Sequence, residues 1–269
     1  DFKVTEDGEP VTIVDFAGEG EQRPVDVVFV FDTTSSMGEE IDGAIRSSIA
    51  FADQLRANNR DFRLGLVAFG DEIRSVSNAD GALTADATEF TDWVSQLNAH
   101  GGGDTPENAL DALLQATTMQ YREGAQKVLL LITDAPPHTA GDGTRNSTLT
   151  TSAVTKQLQD DGFVVYTVAA AYPGYQTLAS STGGKFYELT ESSDFTGIID
   201  QIGGDIAKQY RLTYTSPRSS YDGTRRNIAV SVGGVTGEEA FLEPHLINIQ
   251  SNLPIGLALF AALLLALAA

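Results

Sequence analysis

The residues of this sequence best equipped for chemistry are oxygen donors gathered at three places. Asp32, Thr34 and Ser36 occupy alternate positions in Asp32-Thr-Thr-Ser-Ser36, so Thr33 and Ser35 can turn away while the other three face a common centre. Thr105 ends the stretch Gly101-Gly-Gly-Asp-Thr105, and Asp134 closes Leu131-Ile-Thr-Asp134. Carboxylates and hydroxyls are hard ligands, suited to Mg2+, Mn2+ or Ca2+ rather than to a soft metal. The chain has no cysteine, which excludes thiolate zinc sites, disulfide scaffolds and cysteine nucleophiles together.

These donors need elements to hold them. Val25-Asp-Val-Val-Phe-Val-Phe31 reads as a strand buried on both faces, and Glu39 to Arg56 carries Ile41, Ile45, Ile49, Ala52 and Leu55 at helical spacing. Further strands are expected at Phe62–Phe69, Lys127–Thr133, Phe163–Ala170 and Gly184–Leu189, with Glu72–Ser77 as a hairpin partner. Helices are expected at Asp86–Leu97, Pro106–Tyr121, Leu149–Gln159 and Phe195–Gln209, the second with Pro106 in its first turn. Alternating strands and helices predict a doubly wound, mostly parallel α/β sheet over residues 25–208. In such sheets ligands bind beyond the carboxyl ends of the strands, where Asp32 and Asp134 fall.

The three stretches, in this order and over some 180 residues, resemble the loops of the metal-ion-dependent adhesion site of von Willebrand factor type A domains and integrin I domains. The resemblance implies one divalent cation, Mg2+ first and Mn2+ or Ca2+ as alternatives, held by Asp32, Thr34, Ser36, Thr105 and Asp134. It also implies one open coordination position that takes an acidic residue of a partner. The chain departs from the family at Thr34, where serine is usual, and at Ala135, where glycine is frequent. Asp104 and His138 stand near the expected metal face as candidate partner contacts, and Asn146-Ser-Thr148 is a glycosylation acceptor pattern. Asp104 and Glu107 otherwise read as carboxylates serving the start of the following helix.

Rival chemistries find no support. His100-Gly-Gly-Gly103 looks like an oxyanion-hole turn, but no Gly-x-Ser-x-Gly accompanies it, and the glycines lack the Gly-Lys-Ser/Thr of a phosphate loop. His100, His138 and His245 are scattered, with no nucleophile–base pair, so binding without catalysis is expected. A formal charge of −20 argues against nucleic acid. Only five of 17 basic residues are lysine, a composition that suits high salt, where repulsion between carboxylates is screened.

The flanks differ from the centre. Residues 1–24 carry two strand-like runs around Asp7-Gly8, and Tyr210–Tyr214, Arg226–Val232 and Ala240–Ile249 read as strands. Residues 1–24 and 209–249 are therefore expected to pair into one small β-sandwich, with the α/β domain inserted. Leu253–Ala269 is apolar and uncharged, and residues 250–269 are read as a truncated C-terminal membrane anchor. The expectation is a surface-exposed, membrane-anchored module whose cation captures a protein carboxylate. The alternative is a structural subunit of a surface layer, filament or membrane assembly, bound through the cation to copies of itself.

Overall fold

The computed structural model describes residues 2–17, 24–38, 41–57, 61–143, 146–190, 194–207, 211–218 and 224–242. The described residues divide into two compact units, those within 18–209 and those within 1–17 and 210–242.

The larger unit is built on a six-stranded sheet. Its strands are β4 (Val25–Asp32), β5 (Phe62–Phe69), β6 (Ile73–Val76), β7 (Gln126–Thr133), β8 (Phe163–Ala169) and β9 (Phe186–Glu188). Their order is β6-β5-β4-β7-β8-β9, all parallel except β6, which runs antiparallel to β5. Every residue of β4 is buried, because the strand lies between two helical layers. Val27, Phe29 and Phe31 enter one core, with α1 (Ile41–Ala57), α2 (Ala87–Ser95) and α6 (Phe195–Ala207). Val28 and Val30 enter the other, with α3 (Ala109–Thr117), α4 (Thr151–Asp160) and α5 (Pro173–Ser181). The period-two alternation of a strand thus feeds both cores. The chain leaves β4 toward β5 and later returns to its other side as β7, so the strand order reverses at β4. That switch point opens where β4 and β7 end, at Asp32 and next to Asp134.

Two helices differ from the sequence reading. The helix expected from Pro106 begins only at Ala109. Glu107 is extended instead: its N–H donates to the Pro136 carbonyl at 2.9 Å and its carbonyl accepts from His138 at 2.7 Å. A backbone committed to that bridge cannot turn into a helix. The helix α5 falls in a stretch read as having none. Its start carries Pro173 at the first turn, the position that tolerates a missing N–H, but its short apolar face gives little periodicity.

In the smaller unit, β11 (Arg225–Val232), β12 (Val235–Leu242), β1 (Lys3–Glu6) and β2 (Glu9–Val11) form a sheet ordered β12-β11-β1-β2. A two-stranded ribbon joins β3 (Ile13–Ala17) to β10 (Arg211–Tyr214). The strand expected from Ala240 starts at Val235, because Gly233 and Gly234 both take positive φ and close a tight hairpin. Buried Glu6 and Arg226 pair at 3.2 Å, and the Phe2 and Phe16 rings lie 5.3 Å apart. No helix among the described residues is long and apolar enough to cross a membrane. The apolar run Leu253–Ala269 and His245 lie outside the described residues.

Candidate metal centre

The first loop gathers its donors through an aspartate-centred turn. Asp32 is fully buried, and its Oδ1 accepts from the Thr34 N–H at 2.9 Å and the Thr34 hydroxyl at 2.7 Å. Thr33 points away, with its hydroxyl on the Phe69 carbonyl at 2.9 Å. The Ser36 hydroxyl donates to Asp134 Oδ1 at 3.0 Å, which joins the first loop to the third. The Thr133 hydroxyl donates to Asp32 Oδ2 at 2.6 Å. Asp32, Thr34, Ser36 and Asp134 therefore form one continuous set.

Thr105 stands exposed on its loop, outside that hydrogen-bonded set. The loop itself is tied to the first: Ser35 N–H donates to the Gly101 carbonyl at 3.0 Å and His100 N–H to the Thr33 carbonyl at 2.9 Å. The Arg74 guanidinium also bonds the Thr33 carbonyl and, at 3.0 Å, its hydroxyl. Asp71 accepts from the Gly103 N–H at 3.1 Å.

Glu107 is the residue that the sequence reading misplaced. It is 2 % exposed, and its Oε2 has no hydrogen-bond partner. Burial, then the nearby charge of Asp32, pushes its carboxyl up to about 8. Burial likewise raises the Asp32 carboxyl, against hydrogen bonds from Thr133 and Thr34 and with Asp134 adding to the rise. An acid directly after proline in a glycine-rich loop was the available signal, and it looked like an ordinary helix-start carboxylate.

Asp104 is exposed at the rim, 3.5 Å from His138 Nε2. His138 itself has no exposed surface, so it cannot meet a partner directly as expected. Its Nδ1 lies 2.9 Å from Asp142 and its Nε2 2.9 Å from the Asn146 amide, which makes it an internal pin for the loop. Asn146, the candidate glycosylation site, is exposed, but its amide serves that pin. Asp71, Asp104 and His138 bring three donor atoms within 4.8 Å of one another, but both ring nitrogens of His138 are already engaged by Asp142 and Asn146.

The donor set fits a hard cation. Thr34 and Ser36 direct their protons at Asp32 and Asp134, yet the two hydroxyl oxygens lie 3.1 Å apart. Two hydroxyl protons cannot serve all three of these contacts, so oxygens crowd between two carboxylates, an arrangement that a cation would relieve. The unpartnered Glu107 oxygen belongs to a carboxyl that burial and Asp32 keep protonated without an ion, and a nearby cation would favour its ionised form.

Such a doubly wound sheet, with hydroxyl and carboxylate loops at its switch point, defines a class of α/β binding domains. The chain belongs to the von Willebrand factor type A domain family, whose model matches residues 26–201. It is 26% identical to integrin beta pat-3 of Caenorhabditis elegans over 181 residues, covering 58% of this chain and 22% of that one. It is 24% identical to chicken (Gallus gallus) integrin beta-1 over 163 residues, covering 51% and 20% respectively. The chain thus spans about a fifth of the length of these curated relatives. Among solved structures it resembles proximal thread matrix protein 1 from the mussel byssus, with TM-score 0.56, 15% identity and coverage of 75% and 50%. It also resembles the vWF domain of the type V pili tip protein Mfa5 from Porphyromonas gingivalis, with TM-score 0.51, 14% identity and coverage of 69% and 97%. Both structural likenesses bear on the fold.

The family's usual serine is replaced by Thr34, and the structure shows where its methyl finds room. Gly102 faces it with φ +91°, and a Cβ there would lie 3.3 Å from Thr34 Cβ, 3.4 Å from its methyl and 3.3 Å from Glu107 Oε1. Gly102→Ala is expected to destabilise the protein by about 1–3 kcal/mol through crowding and backbone strain. Thr34→Ser should restore part of the loss, which urea unfolding of both single variants and the double variant would measure. Strictly additive effects would show that the two residues do not share this space.

Proposed function

We propose that this chain is a recognition module that holds one divalent cation, Mg2+ first, and through it captures a carboxylate of a protein partner. Asp32, Thr34, Ser36, Thr105 and Asp134 would hold the ion, with Glu107 behind them as a compensating charge. The opposed Thr34 and Ser36 oxygens between two carboxylates carry this reading. When bound, the cation supplies a Lewis-acidic position for an incoming oxygen. Net charge supports it as well: at −20 the protein repels a bare carboxylate unless a cation offsets the local field. The relation to integrin chains supports a protein partner, and attachment to a cell surface through residues 253–269 belongs to the same proposal.

The test uses Mn2+ as the cation and glutarate as the probe. Water-proton relaxation reports water on the bound Mn2+, and millimolar glutarate should lower it in the wild type. Asp134→Ala should show neither the enhanced relaxation nor its loss. Bound Mn2+ that ignores glutarate would contradict carboxylate capture. If sedimentation shows oligomers forming on addition of the metal alone, the captured carboxylate belongs to another copy of this chain.

A further inference from the structure

Beneath the site runs a series of hydrogen bonds from α5 to the first loop. Tyr175, on α5, has no exposed surface, and its hydroxyl donates to the Ala135 carbonyl at 3.0 Å. The Ala135 N–H donates to the Thr133 hydroxyl oxygen at 3.2 Å, and the Thr133 hydroxyl donates to Asp32 Oδ2 at 2.6 Å. Asp134 sits between Thr133 and Ala135 in the chain, so both of its neighbours are held. The bonds therefore tie the third loop to a helix on one side and to the first loop's carboxylate on the other.

We propose that Thr133 and Tyr175 are positioning residues of this site, fixing the Asp32 and Asp134 carboxylates relative to each other before any ion arrives. The inference rests on the metal reading above, and it adds two residues that touch neither ion nor partner. Sequence chemistry supports it. A phenylalanine would fill the same apolar space as Tyr175 without burying a hydroxyl, which costs free energy unless it is bonded. Burial, then the charge of Asp32, holds the Tyr175 phenol well above its ordinary value, so it stays a donor at working pH. Thr133 likewise takes a place that valine would fill in a strand with no exposed surface there. Its hydroxyl reaches both Asp32 and the Ala135 amide.

Outer groups of this kind set ligand geometry, and their loss lowers metal affinity by about 10–100-fold. Mn2+ binding followed by electron paramagnetic resonance should show Thr133→Val in that range and Tyr175→Phe at its lower end. Thr133→Ser, which keeps the hydroxyl, should stay within a few-fold of wild type. Both lesions keep the side-chain volume, so the fold should survive, and urea unfolding in chelator reports any stability change separately. Reduced stability with unchanged Mn2+ affinity would make both residues merely structural and overturn the proposal. A second readout needs no metal: hydrogen exchange of the Ala135 amide in chelator should quicken in Tyr175→Phe. If wild type binds no Mn2+, the metal reading fails, and this exchange alone decides. Quickened exchange would then sustain the positioning of the loop, and unchanged exchange would overturn it.

Discussion

Arg122→Ala is expected to lower the stability of the protein by about 3–5 kcal/mol, a large share of the stability of an ordinary domain. Asp26, the second residue of β4, has no exposed surface. Its Oδ1 accepts from Arg122 Nε at 2.9 Å and Nη2 at 2.7 Å, and its Oδ2 accepts from the Arg122 N–H at 2.7 Å. Arg122 also bonds Asp61, and its Nη2 reaches the Val25 carbonyl at 3.3 Å. Removing the guanidinium would leave a buried carboxylate with only a backbone donor, and an uncompensated buried charge is costly. Replacing both partners by leucine should recover much of the loss, since the desolvation penalty goes with the pair. Urea unfolding of the two single variants and the double variant would measure this. A loss below about 1 kcal/mol in Arg122→Ala would show that water reaches Asp26 easily. The pair lies at the opposite end of β4 from the metal loops, so metal affinity should not follow the stability.

The second large effect concerns pH in the absence of metal. The Glu107 carboxyl, pushed up to about 8 by burial and by Asp32, is favoured in its protonated form in the folded protein. A group whose folded value lies above its unfolded one contributes stability fully present below the unfolded value of 4.5. That stability is lost as pH rises toward 8. Asp32, also raised by burial, acts in the same direction. In chelator, stability should therefore fall between about pH 5 and pH 9, on the order of 2–4 kcal/mol, since each tenfold change in proton affinity is worth roughly 1.4 kcal/mol. Glu107→Gln, neutral at every pH, should flatten most of that slope. Saturating Mg2+ should flatten it in the wild type as well, because a neighbouring cation favours the carboxylate. Urea midpoints measured across this range decide the matter, and a wild-type stability that is level or rises with pH would contradict it.

Much of the fold was legible because strong patterns carried it. β4, β5 and β7 are dominated by apolar runs, and α1 has a clear apolar face, so the doubly wound order followed from alternation. α5 was missed because its nine residues carry only Tyr175, Leu178 and Ala179 inward. Pro106 misled because proline is equally at home in the extended segment that bridges to Pro137. At the candidate site, the meeting of Asp32, Thr34 and Ser36 was readable from alternate spacing within one loop. The surroundings of Glu107, Thr133 and Tyr175 were not, because they depend on burial and on partners far away in the chain. Asp32 and Thr133 are 101 residues apart and meet only when β4 and β7 pair. His138 shows the same limit from the other side: a polar residue near the metal face proved to be an internal one.

The most direct test of the central claim is thermal unfolding of the full chain with Mg2+, Mn2+ or Ca2+ against chelator, beside Asp32→Ala and Asp134→Ala. An ion at about a hundred times its dissociation constant adds roughly 2.7 kcal/mol, which moves the midpoint by a few degrees at this size. The account predicts that shift in the wild type and its loss in both variants. A folded wild type whose midpoint ignores all three ions would contradict it.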